Sequence, residues 1–141
     1  MTSKNNPDSS DNPTGSRNMT NLQHLAEQYL ATWNETDPAA RRKLIDTSWA
    51  EHASYTDPLV EATGRDAVDA TVGAVQAQFP GLVFTLGPGG VDAHHRLARF
   101  TWELAPAGAA EPLVIGFDVL VADEDGRIAA VHGFLDKVPT T

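Results

Sequence analysis

Two aspartates stand where a carboxylate needs an explanation. Asp57 ends the stretch Tyr55-Thr56-Asp57-Pro58, two residues after a tyrosine and directly before a strand-stopping proline. Strand side chains alternate with a period of two, so Tyr55 and Asp57 face the same side. An inward carboxylate on a half-buried strand is costly unless it is paired or put to use. Asp57 is therefore a catalytic base, a hydrogen-bonded structural group or a solvated strand end. Asp118 is the only ionisable residue of Leu113–Val121, a run apolar on both faces and so expected to be buried on both. There it is either paired or held protonated, because desolvation raises an acid's pKa. Such acids are enriched at functional sites, although structural pairs produce them too. Gly116, on the same face, leaves space beside it. Arg99 is the leading partner if Asp118 is structural.

Other candidates carry less. His94 and His95 have no acidic partner at metal-ligand spacing, which favours solvated histidines over a zinc site. His24 falls on the polar side of a helix and His52 at a strand start. His132 lies in a core strand and keeps some catalytic interest. No glycine-rich phosphate loop leads from a strand into a helix, and no serine sits at a nucleophile elbow.

The elements that must position these groups follow from periodicity. Thr20-Asn21-Leu22-Gln23 has the form of a capping box. Behind it Leu22, Leu25, Ala26, Tyr29, Leu30 and Trp33 make one apolar stripe of a helix ending near Asn34. Tyr29 lies within that stripe, and a buried tyrosine hydroxyl needs a partner. Asp37-Pro38 starts a second helix as cap and first residue. Arg41-Arg42-Lys43 reads as its solvated face. Trp49 is expected in a turn, followed by a strand over Ala53–Asp57. Gly64-Arg65-Asp66 leads into a third helix bearing Val68, Val72, Val75 and Phe79, ended by Pro80-Gly81. From there the period is two: strands over Leu82–Leu86, Val91–Leu104, Pro112–Ala122 and Arg127–Val138, with Asp123-Glu124-Asp125-Gly126 as a hairpin turn. Phe100, Trp102 and Leu104 share one face and Arg99, Thr101 and Glu103 the other. The aromatic face is preferred for a cavity, although one bulge would exchange the two sets. Val131, Gly133 and Leu135 oppose His132, Phe134 and Asp136, and the hairpin register decides which set joins Asp118. The sum is an α+β domain, three helices on one face of a curved, mainly antiparallel sheet.

Composition narrows the classes. The 141 residues suit one domain. Residues 1–19 are mostly polar with no apolar periodicity and are expected to be a disordered tail, leaving 20–141 as the folded unit. No signal-peptide core or bilayer-length apolar run is present, so a cytoplasmic location and no membrane association are expected. With no cysteine, disulfides, thiolate metal sites and cysteine nucleophiles are excluded. A formal charge of −9 with scattered basic residues argues against nucleic-acid binding.

The chain resembles the nuclear transport factor 2-like superfamily, in its SnoaL-like and ketosteroid-isomerase-like branch, over nearly all of Leu22–Pro139. The resemblance is carried by Tyr29-Leu30-Ala31-Thr32-Trp33-Asn34, Tyr55-Thr56-Asp57-Pro58, Gly64-Arg65-Asp66-Ala67-Val68, Phe79-Pro80-Gly81, Gly116-Phe117-Asp118 and Asp125-Gly126-Arg127-Ile128. It implies a cone-shaped α+β barrel around a deep apolar pocket, with no cofactor or metal, commonly in a homodimer packed through the sheet. By motif context Tyr29, Asp57 and Asp118 match the catalytic groups of ketosteroid isomerases. Asp57 would move a proton between carbons, while Tyr29 and protonated Asp118 would donate to the developing oxyanion. The pocket wall for a small hydrophobic molecule is expected from Tyr55, Trp33, Val72, Phe100, Trp102, Gly116, Leu120, Val131 and Leu135. Helix three carries Val72 and Val75 rather than further tyrosines, a departure from some members. Epoxide hydrolases of this fold need an arginine between two aspartates. Thr101 and Gly133 stand where those acids would align beside Arg99. A SnoaL-like polyketide cyclase, with Asp118 and His132 as its acid–base pair, and a non-catalytic hydrophobic-ligand binder are the alternatives to a steroid delta-isomerase-like enzyme.

Overall fold

The computed structural model describes residues 14–139. Helix α1 spans Thr14–Asn34, α2 Pro38–Ser48 and α3 Arg65–Gln78. The strands are β1 (Trp49–Thr56), β2 (Glu61–Thr63), β3 (Leu82–Leu86), β4 (Asp92–His94), β5 (Leu97–Pro106), β6 (Val114–Ala122) and β7 (Ile128–Lys137). They form one seven-stranded sheet in the order β2-β1-β7-β6-β5-β3, with β4 folded back on β5. All pairs are antiparallel except β1 with β7. The curved sheet stays open rather than closing into a barrel, and the helices pack on its concave face.

The stripe of α1 is buried as its spacing demands: Leu22, Leu25, Ala26, Tyr29, Leu30 and Trp33 all lie in the core. The helix begins at Thr14, so Thr20 sits inside it rather than capping it. Once a helix is nucleated by a packed segment, adding turns in front costs little, even for polar residues. Of the tail expected over residues 1–19, residues 1–13 lie outside the described residues and 14–19 are helical. The other end of α1 is held by side chains. Asn34 exchanges two 2.8 Å hydrogen bonds with the backbone of Phe84 on β3. Gln76 of α3 donates to the carbonyls of Trp33 and Glu35, which have no helical partner of their own.

Helix α2 starts as expected, with the Asp37 carboxylate accepting from the Ala40 N–H at 2.9 Å and Pro38 in the first turn. Its basic run is not simply solvated. Arg41 is largely buried, bonding Asp69 at 2.7 Å and Gln76 at 2.8 Å, and Arg42 bridges Asp46 and Asp66. These contacts fasten α2 to α3. Trp49 is no turn residue either; it is fully buried at the first position of β1. Two further strands escaped the periodicity. β2 returns from Pro58 to pair with β1, and the stretch read as one strand from Val91 splits into the β4–β5 hairpin, where His95 takes a positive φ of 53°. Gly126 supplies its expected positive φ, 79°, between β6 and β7.

Candidate active site

The register of the central strands settles which faces meet. Phe100 on β5, Asp118 on β6 and Gly133 on β7 are direct partners and point to the concave side. Phe100, Trp102 and Leu104 are accordingly buried, whereas Arg99 points outward and pairs with Asp92 at 3.0 Å. Arg99 is thus no partner of Asp118. His132 falls opposite Val119, on the outer face and exposed, so the Asp118–His132 pair expected for a cyclase is not assembled.

Asp118 is 1% exposed. Its Oδ2 accepts the Tyr29 hydroxyl at 2.6 Å, delivered from the inward stripe of α1. Its Oδ1 has no hydrogen-bond partner among the described residues. Burial raises its pKa to about 6, opposed by the Tyr29 hydroxyl and the nearby Trp102 indole, and assisted by the charge of Asp57. Burial, and then Asp118, push the Tyr29 hydroxyl well above the usual tyrosine range, so it stays protonated as a donor.

Asp57 is held differently. Its Oδ1 accepts the backbone N–H groups of Leu59 and Val60 at 2.8 and 2.9 Å, and its own N–H donates to the Val60 carbonyl. Pro58, lacking an N–H, lets the chain turn without stranding a donor. The same-side expectation for Tyr55 holds in its strongest form, because the Tyr55 hydroxyl donates to Asp57 Oδ2 at 2.7 Å. Burial, then this bond, push the Tyr55 hydroxyl above its ordinary range. The site thus contains two tyrosine–aspartate pairs.

Gly133 lies between the pairs. A Cβ there would stand 2.8 Å from Asp118 Oδ1 and 3.4 Å from Asp57 Cβ. A side chain there would collide with Asp118 Oδ1, so the glycine leaves that carboxyl its place on β6.

A cavity of about 240 Å³ opens beside these groups. Tyr29, Trp33, Tyr55, Asp57, Trp102 and Leu135 are on its wall. Leu30, Val75, Phe79, Phe84, Leu104 and Val114 complete an apolar interior, and Gln78 adds an amide. Leu59 and Val138, 84% and 53% exposed, together with Pro139 mark its mouth. The wall is therefore apolar with a few convergent polar groups, the usual character of a small-molecule site.

Of the residues expected on the wall, Val72, Phe100, Leu120 and Val131 are instead core, each at most 2% exposed and none on the cavity surface. They face inward, but at the level where Tyr29 meets Trp49 and Phe100 with ring centroids 5.8 Å apart, and close packing leaves no void. Gly116 is covered by the Trp102 ring, which occupies the space a Cβ would take. Asp118 too is absent from the wall: Tyr29 stands between it and the cavity. The expected side-by-side donors are in series. The wall residues the sequence reading missed were signalled by inward alternation (Phe84, Leu104, Val114) and by the helix-ending Phe79. Leu59, Val138 and Pro139 carried no such signal.

Among the described residues no cluster of three His, Cys, Asp or Glu side chains could hold a metal ion, and no helix is long and apolar enough to cross a membrane.

The SnoaL-like domain model matches residues 26–131. The chain belongs to the SnoaL-like family. An Agrobacterium tumefaciens protein of that family, described as a candidate isomerase, is 39% identical, with a TM-score of 0.78 over 84% of this chain and 99% of that one. A nuclear transport factor 2-like protein of unknown function from Mesorhizobium loti shares 18% identity at a TM-score of 0.60, over 90% of this chain and 97% of its own. A candidate polyketide cyclase from Sinorhizobium meliloti shares 15% at 0.59, over 78% and 93%. The last two likenesses concern the fold alone. A comparison with curated proteins gave no match. The SnoaL-like chain thus has the nuclear transport factor 2-like architecture that its motifs resemble, with one relative described as a candidate isomerase and one neighbour in fold as a candidate cyclase.

Proposed function

We propose that this SnoaL-like protein is a cofactor-independent proton-transfer isomerase acting on a hydrophobic carbonyl compound of the unconjugated 3-oxo-steroid type. The carrying observation is that Asp57 and Tyr29 lie on the wall of one apolar cavity, with a buried acid bonded behind the tyrosine. Asp57 Oδ2, which holds only the Tyr55 hydrogen bond, takes the proton from the carbon next to the carbonyl. The electron pair of the broken C–H bond moves to the carbonyl oxygen as an enolate. Below its raised pKa of about 6, Asp118 carries a proton and donates it to the Tyr29 oxygen in place of the bond it now accepts, which turns the Tyr29 hydroxyl hydrogen toward the enolate oxygen. Asp57 then returns the same proton two carbons further along, giving the conjugated ketone. The apolar wall binds the hydrocarbon body and excludes water.

Enone absorbance with an unconjugated 3-oxo-steroid tests this. Turnover by the wild type that falls by about 10²-fold or more in Asp57→Asn is expected, the usual range for a general base. No turnover above background, or turnover indifferent to the substitution, overturns it. Cyclisation of a polyketide-like chain through an enolate would use the same Asp57 and Tyr29, without His132. A purely ligand-binding role is the second reading, favoured by the three hydrogen bonds that Asp57 already receives, two of them closing its turn. Steroid binding without turnover would select it.

We also assign a second copy of the chain to the outer face of the sheet. Ile115, Phe117, Val119 and Val121 of β6 are only half-buried there, beside Phe134 of β7, which is 56% exposed.

A further inference from the structure

A second cavity, of about 350 Å³, lies where the ends of α1 and α3 meet the start of β3. Five side chains line both this cavity and the one at Asp57: Trp33, Val75, Phe79, Phe84 and Leu104. They form the wall between the two. The first cavity, at about 240 Å³, is small for a ligand site, whose usual size is about 300–1,000 Å³; the two joined fall within that range.

Three of the wall residues are fixed. Trp33, Phe84 and Leu104 are buried, and the rings of Trp33 and Phe84 pack with centroids 5.5 Å apart. Val75 and Phe79, from the end of α3, are only half-buried. The branched Val75 is stiff about its first side-chain bond. Phe79 caps the helix with a non-helical backbone, φ −124° and ψ 64°, so its side chain is not held in a helical turn. Its N–H bonds the Val75 carbonyl at 3.0 Å and its own carbonyl accepts from Leu82 at 3.3 Å. With the backbone tied on both sides, opening the wall takes a swing of the ring and no movement of the chain.

The second cavity suits a hydrocarbon. Asn34 and Gln76 line it, but their amides are already engaged, the first by the Phe84 backbone and the second by the Trp33 and Glu35 carbonyls and by Arg41. Arg41, which comes 3.4 Å from where a Cβ of Gly73 would stand, is itself held by Asp69. What is left beside the shared wall is the apolar surface of Ala77, Pro80 and Leu82, with the exposed Thr36 at the rim.

We propose that the two cavities are compartments of one site for an elongated apolar carbonyl compound, with Phe79 as the specificity-determining residue between them. The carbonyl lies at Tyr29 and Asp57, and an unbranched hydrocarbon tail displaces the Phe79 ring and runs on along Ala77 and Leu82. The placing of the carbonyl rests on the isomerase reading; the joining of the cavities does not. A compact ligand fills the first compartment alone. A tail long enough to pass the exposed Ala77, Pro80 and Gly81 returns to water and gains nothing more.

The test needs no turnover. The full chain is titrated with straight-chain methyl ketones of increasing length, followed by tryptophan fluorescence, since Trp33 stands on the shared wall. Affinity is expected to rise about twofold to fourfold per added methylene through both compartments and then to level off. Ala77 lines the second cavity and not the first, so Ala77→Phe fills only the second. It is expected to bring the levelling-off to a shorter chain and to cut the ratio of longest- to shortest-ketone affinity by about tenfold or more, the worth of a few methylenes. Phe79→Ala removes the ring that the tail has to displace and is expected to raise that ratio. Levelling-off at the same chain length in the wild type and in Ala77→Phe overturns the joined site, as does a failure of the ketones to bind. A ratio unmoved or lowered in Phe79→Ala overturns the role of Phe79. If Phe79→Ala fails to fold, Phe79→Leu takes its place with the same expected direction. Length-dependent binding in a protein inert to steroids would sink the isomerase and leave the joined site; steroid turnover with ketone affinities that level off alike in both proteins would do the reverse.

Discussion

Replacing Asp118 by asparagine separates the cost of its charge from everything else it does. In the fold its pKa is raised to about 6, against an ordinary value of 3.8. A raised acid binds its proton more tightly folded than unfolded, so it stabilises the fold below about pH 3.8. That contribution is lost as pH rises toward 6, and above 6 nothing more changes. At about 1.36 kcal/mol per pH unit, the whole loss is about 3 kcal/mol. The amide that replaces the carboxyl has no charge to lose. The stability of the wild type minus that of Asp118→Asn should therefore fall by about 2–3 kcal/mol between pH 4 and pH 7. The offset of this difference depends on whether the new amide N–H₂ finds acceptors where Oδ1 had none, worth about 1–3 kcal/mol. Its slope does not, because that term is independent of pH. Other titrating groups cancel between the two proteins. Urea denaturation of both at matched protein concentration and half-unit pH steps measures the difference. A flat difference would refute the claim that Asp118 is buried and easily protonated, and with it the relay through Tyr29.

Two further predictions bear on the scaffold. Arg41→Ala removes a largely buried guanidinium that bonds Asp69 and Gln76, so urea denaturation should show about 2–4 kcal/mol less stability, with α2 and α3 loosened together. A loss below about 0.5 kcal/mol would mean the run is a solvated face after all. Phe134→Glu places a charge on the outer face of β7, 56% exposed in the single chain. Sedimentation should show a dimer for the wild type and a monomer for the variant, with the cavity's ligand affinity unchanged; a wild type that sediments as a monomer refutes the second copy.

The sequence disclosed what is decided locally. The stripe from Leu22 to Trp33, the Asp37-Pro38 helix start and the Gly126 turn each depend on neighbours within a few residues, and each stands in the structure. The face of β5 was legible because Phe100, Trp102 and Leu104 outweigh any register that would expose them. What depends on distant partners was not. Arg41 reads as solvated until Asp69 and Gln76 arrive from another helix. Trp49 follows a helix and looks like a turn, yet the chain passes straight into β1 because its indole fills the core. The cavity wall was half legible. Period two gives the direction of a side chain but not whether the space before it is already filled, which is why Val72, Phe100, Leu120 and Val131 were placed in the cavity and lie in the core.

Asp57 illustrates why one motif residue is weaker evidence than an arrangement. Its bonds to Leu59 and Val60 close a turn before β2, and that turn is needed whether or not any proton moves. An aspartate before a proline is therefore explained without catalysis. What the turn does not explain is Tyr29, carried by a helix, donating to a buried acid 89 residues further along the chain, with both tyrosine–aspartate pairs meeting at a glycine. In Asp57→Asn the amide would keep the Oδ1 acceptor for both N–H groups and offer its own N–H₂ to the Tyr55 oxygen, preserving the turn while removing the charge. A folded, ligand-binding, inactive Asp57→Asn protein would thus assign the lost activity to the carboxylate itself rather than to the turn it closes.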